Sequence, residues 1–252
     1  MSDKRVLLVG EKETFIVRVL VKKIQDAGFE CIFSNWNVND INAAWKDIGQ
    51  VTLFMDDNRR PTESVIHYLN DRMSEEGTRL IIIGDKLDVQ FASESFPGDT
   101  IYKKFIRPID NAEYISAVNG LMGMVEAGEF MKTILIVDDD ANYLTLIREW
   151  LKGTYKVAMA NSGLQAIKWL GKNKADLILL DHEMPVTSGP QVLEMLRSDG
   201  ETKNIPVIFL TGKGDKESVM AVVSLRPEGY FLKTIQKDEL LDKLKEFFIL
   251  HR

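Results

Sequence analysis

Two apolar runs of the sequence end in carboxylates, and these acids are the residues best suited to do chemistry. The apolar run 134–137 leads into Asp138, Asp139 and Asp140, and a second apolar run leads into Asp181. Because the carboxyl ends of parallel strands meet at one crevice, the two sets of acids should lie close together. Carboxylates about 4 Å apart repel by roughly 4 kcal/mol per pair at an effective dielectric near 20, so a cation or a proton must join them. The pattern predicts a site for a hard divalent ion, most simply Mg2+.

The composition favours an acidic globular protein and excludes several classes. A chain of 252 residues predicts two domains, and a net charge of -6 argues against a broad nucleic-acid surface. No run approaches the roughly 18 to 20 apolar residues that cross a bilayer, and the N-terminus lacks an apolar signal core. We therefore expect a cytoplasmic location and no membrane partner. The single cysteine, Cys31, lies beside apolar residues and is predicted to be a buried thiol.

The two halves of the chain share one order of elements. Four positions of the first half correspond to four of the second at separations of 125 to 128 residues. A period this long indicates duplicated domains rather than a solenoid. The corresponding pairs are Glu11 and Asp139, Asp56 and Asp181, Gly84 and Thr211, and Arg107 and Lys233.

Helical patterns alternate with the apolar strands in both halves, which predicts an α/β fold with a parallel sheet covered on both faces. Each half contains about five such units, so we predict two doubly wound (βα)5 domains in tandem. The predicted boundaries are residues 1–125, a linker at 126–131, and residues 132–252. Helical spacing predicts inward faces for Leu144, Ile147 and Leu151, for Val192, Met195 and Leu196, and for the apolar side of a closing helix at 235–249.

From about residue 132 onward the sequence resembles the receiver domains of two-component response regulators. The resemblance implies a flavodoxin-like fold for this half and, through the repeat, for the first half. The motifs that carry it are Asp138-Asp139 after the first strand, Asp181-x-x-Met-Pro after the third, Thr211-Gly212 after the fourth and Lys233 after the fifth.

The resemblance implies a role for each of these residues. Asp181 would accept a phosphoryl group, with Mg2+ bound directly by Asp139, by Asp181 and by the backbone carbonyl of Glu183. Asp138 would bind the ion through a water molecule, and Lys233 would contact a phosphoryl oxygen. The resemblance further implies that Thr211 donates its hydroxyl to the phosphoryl group and that Tyr230 is an aromatic switch that turns inward with it.

The second half departs from the family pattern after its lysine, where Thr234 replaces a proline that commonly follows a cis peptide bond. A cis bond before a non-proline residue costs about 2.5 to 4 kcal/mol, so we predict a trans Lys233–Thr234 bond. Glu183 and Lys213 occupy variable positions beside the pocket. They form either a salt bridge that shields the phosphoryl group or two solvated side chains.

The first half keeps the predicted architecture but loses the chemistry. Glu11 and Asp56 remain, and Arg107 is expected to reach one of them and neutralise it. Asp57 is an alternative acid. We predict a degenerate receiver with a binding or dimerising role, because the first acid, the hydroxyl and the lysine are replaced by Gly10, Gly84 and Arg107.

The leading hypothesis is a signalling switch that receives its phosphoryl group from a histidine kinase or a histidine phosphotransfer protein. Beyond its own phosphorylation and dephosphorylation we expect no enzymatic activity and no DNA-binding output. Output would then be contact with a target protein or a second copy, over about residues 216–248. One alternative is an unphosphorylated scaffold or dimerisation protein. Another is a Mg2+-dependent phosphatase of the haloacid dehalogenase type, which Asn142 at its motif's last position disfavours.

Overall fold

A computed structural model describes residues 4–56, 59–212 and 226–251 of the chain. The chain divides into two compact units, Met1–Phe130 and Met131–Arg252. Each unit is built from strands and helices that alternate along the sequence. Asp57, Lys213 and part of the expected output region, 216–248, lie outside the described residues.

The first unit contains five strands and five helices. In chain order they are β1 (Arg5–Gly10), α1 (Phe15–Asp26), β2 (Cys31–Asn35), α2 (Val38–Ala44), β3 (Ile48–Phe54), α3 (Glu63–Glu76), β4 (Arg79–Gly84), α4 (Lys86–Ser95), β5 (Ile101–Ile106) and α5 (Asn111–Glu126).

The second unit repeats this order over its described residues. The elements are β6 (Thr133–Val137), α6 (Ala141–Leu151), β7 (Lys156–Ala160), α7 (Gly163–Leu170), β8 (Leu177–Asp181), α8 (Gly189–Ser198), β9 (Val207–Thr211), β10 (Gly229–Leu232) and α9 (Lys237–Leu250).

The two sheets have the same topology. The first sheet runs β2-β1-β3-β4-β5, and the second runs β7-β6-β8-β9-β10, with all pairs parallel. The predicted α/β class with two flavodoxin-like doubly wound sheets is therefore confirmed. In this topology the strand order reverses between β1 and β3 and between β6 and β8. The carboxyl ends of these strands form the crevice where such sheets bind their ligands.

Apolar side chains cover both faces of each sheet, as the sequence predicts for buried parallel strands. In the second unit, one cluster packs β6, β8 and β9 against α6 and α9, and another packs them against α7 and α8. The predicted inward residues Leu144, Ile147 and Leu151 are buried. Met195 was predicted to face inward, but it is 52% exposed, because Val192, Leu193 and Leu196 form the buried face of α8 and Met195 lies outside it.

Two further sequence predictions can be compared with the described residues. Cys31 is a free, buried thiol, and burial raises its pKa to about 12, so it is an inert core residue. A search of the described helices finds none long and apolar enough to cross a membrane.

Candidate functional site

The end of β6 delivers the first acids of the site. Asp138 follows Val137 directly, and its backbone N–H donates to the carbonyl of Ala160 on β7 at 3.1 Å. Its Oδ1 accepts from the backbone N–H of Asp140 at 2.9 Å, which fixes the turn into α6. Asp140 is the N-cap of α6 and accepts from the Asn142 N–H at 2.8 Å. Asp140 therefore caps a helix, whereas the carboxylates of Asp138 and Asp139 belong to the acidic cluster at the crevice.

The end of β8 brings Asp181 to the same place. One carboxylate oxygen from each of Asp138, Asp139 and Asp181 lies within 4.8 Å of the others. Asp138 is 0% exposed and Asp181 is 3% exposed, whereas Asp139 is exposed to solvent. Two of the three acids are therefore held together in a region where water screens their charges weakly.

Lys233, just beyond β10, is the cation that the structure brings to these acids. Its Nζ lies 2.8 Å from Oδ2 of Asp138 and 3.0 Å from Oδ2 of Asp181. The Lys233 N–H also donates to the backbone carbonyl of Thr211 at 2.8 Å, so the end of β9 fixes the position of the lysine backbone. One ammonium thus bridges the two buried carboxylates.

The ionisation of the site reflects burial and charge together. Burial raises the pKa of Asp181, as does the charge of Asp138, and the ion pair with Lys233 only partly opposes them. For Lys233, burial disfavours the ammonium, but its contacts with Asp138 and Asp181 outweigh burial and raise its pKa. Lys233 therefore stays protonated, while the charged form of Asp181 is held at a free-energy cost.

The donor set of the site fits a divalent cation. Three carboxylates meet one ammonium among the described residues, which leaves an excess of negative charge. All three acids offer oxygen ligands, the type that Mg2+ prefers. A bound Mg2+ would neutralise the excess charge and relieve the repulsion between Asp138 and Asp181.

The backbone after Asp181 turns closely around the acid. The Glu183 N–H lies 3.4 Å from Oδ1 of Asp181, and the Gly189 N–H donates to the carbonyl of His182 at 3.1 Å. A Cβ at Gly189 would collide with the carbonyl oxygen of Asp181. Glycine is therefore required at residue 189 for this loop to close beside the acid.

The remaining predicted residues of the second unit lie around this centre. Thr211 ends β9, and Tyr230 on β10 is partly buried and stacks on Phe209 at a centroid distance of 5.6 Å. Burial raises the pKa of Tyr230, as expected for a ring packed on the core. The switching roles of Thr211 and Tyr230 remain predictions.

The peptide bond after Lys233 can be compared directly with its prediction. The one cis peptide bond within the described ranges is Arg107–Pro108, so the Lys233–Thr234 bond is trans, as predicted. The predicted pairing of Glu183 with Lys213 stays a prediction, because Lys213 is outside those ranges.

Tyr143 is a residue of this site that the sequence reasoning missed. Its ring centroid lies 5.0 Å from Nζ of Lys233, and its hydroxyl is buried with no hydrogen-bond partner in the described part of the chain. Burial raises the pKa of Tyr143 to about 12, and the charges of Asp138 and Asp181 add to this effect. Its position on the first turn of α6, directly after the acids, was the available signal.

The equivalent crevice of the first unit is closed by arginines. Arg107 forms an ion pair with Asp56, and Arg59 forms one with Glu11. The sequence predicted that Arg107 would contact either acid, and the structure shows Asp56. Arg59 was not anticipated, because it belongs to no apolar pattern and has no counterpart among the four repeated positions.

Gly84, which corresponds to Thr211 of the second unit, has little room for a side chain. A Cβ at Gly84 would lie 2.8 Å from Cβ of Asp88, which is only 1% exposed. Burial raises the pKa of Asp88, and Arg60 lies 3.9 Å from its carboxylate. The side chain of Asp88 therefore occupies space that a threonine at residue 84 would need.

Comparisons with known proteins agree with the geometry of the second unit. The family model described as the response regulator receiver domain matches residues 134–245. The chemotaxis protein CheY-3 of Vibrio cholerae is 30% identical over 117 residues, which cover 46% of this chain and 90% of that protein.

Two longer relatives match the same kind of segment. A probable cyclic di-GMP phosphodiesterase of Vibrio cholerae is 37% identical over 103 residues, covering 41% of this chain and 23% of that protein. The phosphate regulon transcriptional regulatory protein PhoB of Pseudomonas aeruginosa is 36% identical over 115 residues, covering 45% of this chain and 50% of that protein. The chain thus spans half or less of the length of these two relatives.

The first unit has a sheet of the same order, and its crevice lies at the same strand ends. Together, the family match, the CheY-3 relative and the acidic site identify the chain: it belongs to the response regulator receiver family of two-component systems, with a second receiver-like unit preceding the matched one.

Proposed function

We propose that this chain is a response regulator that accepts a phosphoryl group on Asp181 with the help of Mg2+. The observation that carries the proposal is the convergence of Asp138, Asp139 and Asp181, the first and last of which are bridged by the ammonium of Lys233. A cluster of three acids, two of them buried, has a surplus of negative charge that is unfavourable unless it binds a cation, and phosphoryl transfer uses such a cation.

The chemistry follows from the residues of the site. An oxygen of the Asp181 carboxylate attacks phosphorus, the bond from phosphorus to the donor's leaving atom breaks, and an acyl phosphate forms on Asp181. Asp139, Asp181 and the carbonyl of Glu183 would hold Mg2+, with Asp138 acting through water; the ion supplies charge neutralisation for the phosphoryl oxygens. The raised pKa of Lys233 keeps it protonated, so that it neutralises an incoming phosphoryl oxygen.

The product changes the charge near β9 and β10. A phosphoryl group carries about -1.5 to -2 charges at neutral pH and offers several acceptor oxygens. Thr211 at the end of β9 donates a hydrogen bond to the phosphoryl group, and the ring of Tyr230 turns inward with it. These two movements shift the populations of two conformations. The donor is a histidine kinase or a histidine phosphotransfer protein. The signal passes to a target protein or to a second copy, and the chain catalyses no reaction on another substrate.

The first unit has a different role in this proposal. Its acids Glu11 and Asp56 already pair with Arg59 and Arg107, so their charge is balanced without a divalent cation. We assign residues 1–125 to a degenerate receiver that binds a partner, residues 126–131 to a linker, and residues 132–252 to the phosphorylatable receiver.

Intact-protein mass after incubation with acetyl phosphate and Mg2+ tests this function. We expect one added phosphoryl group, which is lost when Mg2+ is chelated beforehand. Asp181→Asn should abolish the addition, and the matched substitution Asp56→Asn should leave it unchanged. Because some receivers take phosphate only from a protein donor, beryllofluoride, a phosphoryl mimic, serves as a second probe. If the protein binds neither phosphoryl group nor beryllofluoride with Mg2+ present, the proposal is wrong.

A further inference from the structure

Within the described part of the chain, the buried hydroxyl of Tyr143 has no hydrogen-bond partner. Its oxygen is inaccessible to solvent and finds neither donor nor acceptor among the residues of the described ranges. A buried hydroxyl without a partner is destabilising, and native structures rarely keep one without a reason.

The surroundings of Tyr143 belong to the acidic site. Its ring lies 5.0 Å from Nζ of Lys233, within the range of a cation–π contact, and Lys233 in turn bridges Asp138 and Asp181. Burial raises the pKa of Tyr143, and the charges of the same two acids add to this effect, so the hydroxyl keeps its proton at neutral pH. Among the described residues, this protonated hydroxyl is therefore a hydrogen-bond donor without an acceptor.

We infer that Tyr143 is a further phosphoryl-binding residue: its ring positions Lys233, and its hydroxyl donates a hydrogen bond to an oxygen of the phosphoryl group on Asp181. This inference rests on the proposed function. A phosphoryl group on Asp181 would bring acceptor oxygens to the acid that Lys233 contacts, and the ring that carries this unpaired hydroxyl lies 5.0 Å from the same ammonium. The hydroxyl then gains the partner that it lacks.

Tyr155 provides a matched control within the same unit. It is also a largely buried tyrosine whose pKa burial raises to about 12, but it packs on Phe248 at 5.5 Å between ring centroids. No acid contributes to the raised pKa of Tyr155. Tyr155→Phe therefore removes a hydroxyl from the core without removing one from the site.

The experiment is a titration with beryllofluoride at saturating Mg2+, read by fluorine NMR of the bound species. A hydrogen bond to a charged acceptor is strong enough that its loss should weaken binding about tenfold in Tyr143→Phe. Tyr143→Leu, which also removes the ring above Lys233, should bind at least as weakly. Tyr155→Phe should bind like the unsubstituted protein, and Mg2+ alone, measured by calorimetry, should bind all four proteins equally.

Each other outcome overturns the inference in a recognisable way. Equal beryllofluoride affinity for Tyr143→Phe and the unsubstituted protein would rule out the proposed hydrogen bond but not the proposed function. Equal weakening by Tyr155→Phe makes the effect one of general stability. A matching loss of Mg2+ affinity in Tyr143→Phe assigns the hydroxyl to the metal's water shell. If the unsubstituted protein binds no beryllofluoride, the proposed function fails and the inference fails with it.

Discussion

Asp181→Asn should stabilise the second unit when divalent ions are absent. Asp181 is 3% exposed, and burial raises its pKa, which means that the charged carboxylate is less favourable in the folded protein than in the unfolded chain. Asparagine has nearly the same shape but no charge to desolvate. The substitution therefore removes a penalty that, in the proposed function, a bound Mg2+ would otherwise relieve.

The magnitude follows from three opposing interactions of Asp181. Asp138, whose oxygen lies within 4.8 Å, repels it by about 3.5 kcal/mol at an effective dielectric near 20. Exposed Asp139, at a similar distance but screened by water, adds about 1 kcal/mol. Lys233 at 3.0 Å attracts it by about 5.5 kcal/mol at the same effective dielectric of 20. These interactions nearly cancel, so desolvation decides the sign, and we expect a gain of about 1 to 2 kcal/mol.

The assay measures the free energy of unfolding by denaturant at neutral pH in the presence of a chelator. Hydrogen exchange of the β6 and β8 amides reports the stability of the second unit separately. The matched substitution Asp56→Asn in the first unit should have the opposite sign. It removes a partly exposed ion pair with Arg107 and should cost up to about 1 kcal/mol, measured on the β1 and β3 amides.

The pH dependence of stability tests the sign of the Asp181→Asn effect independently. A raised pKa means that the folded protein holds the Asp181 proton more tightly, so the penalty is present at neutral pH. It disappears as the pH falls through the raised pKa toward the ordinary value of 3.8, where both states are protonated. Asp181→Asn should therefore lose its advantage in acid. Destabilisation by Asp181→Asn at neutral pH, or an advantage that grows in acid, would refute the reasoning.

Two further predictions concern the glycines beside the two sites. Gly84→Thr combined with Arg107→Lys should not give the first unit a phosphoryl-accepting site, because a Cβ at residue 84 would lie 2.8 Å from that of Asp88. We expect the double substitution to lower the free energy of unfolding by about 1 to 3 kcal/mol. When it is made in a protein that also carries Asp181→Asn, phosphodonor should add no mass. Gly189→Ala should reduce phosphorylation of Asp181 and destabilise the second unit by a similar amount, since the new Cβ collides with the Asp181 carbonyl; unchanged mass gain and melting would contradict this.

The sequence predicted the architecture well because the fold depends on patterns that the chain carries locally. Apolar runs of strand length, helical spacing and the repeat together predicted two parallel sheets, and both are observed. The error at Met195 arose because Leu193, which the predicted set left out, is buried beside Val192 and Leu196 on α8, and Met195 lies outside that buried side. Periodicity locates a face, but packing decides which residues occupy it.

The acids of the site were predictable because they lie at the ends of strands. Several side chains that contact or adjoin these acids were not predictable. Asp138 and Asp181 follow apolar runs, and Lys233 is found through the family resemblance. Arg59, Asp88 and Tyr143 contact their sites from loops and first helical turns, where no periodicity applies. Which side chain reaches across a crevice depends on tertiary distances that a sequence pattern does not contain.

Identification of the phosphorylated residue tests the central claim most directly. Borohydride reduces an aspartyl phosphate to homoserine, which peptide mass spectrometry locates after treatment with phosphodonor and Mg2+. We predict homoserine at residue 181 alone. Homoserine at residue 56 or 57, or its absence from residue 181 in a protein that has gained phosphoryl mass, would contradict the assignment of an active second unit and a silent first one.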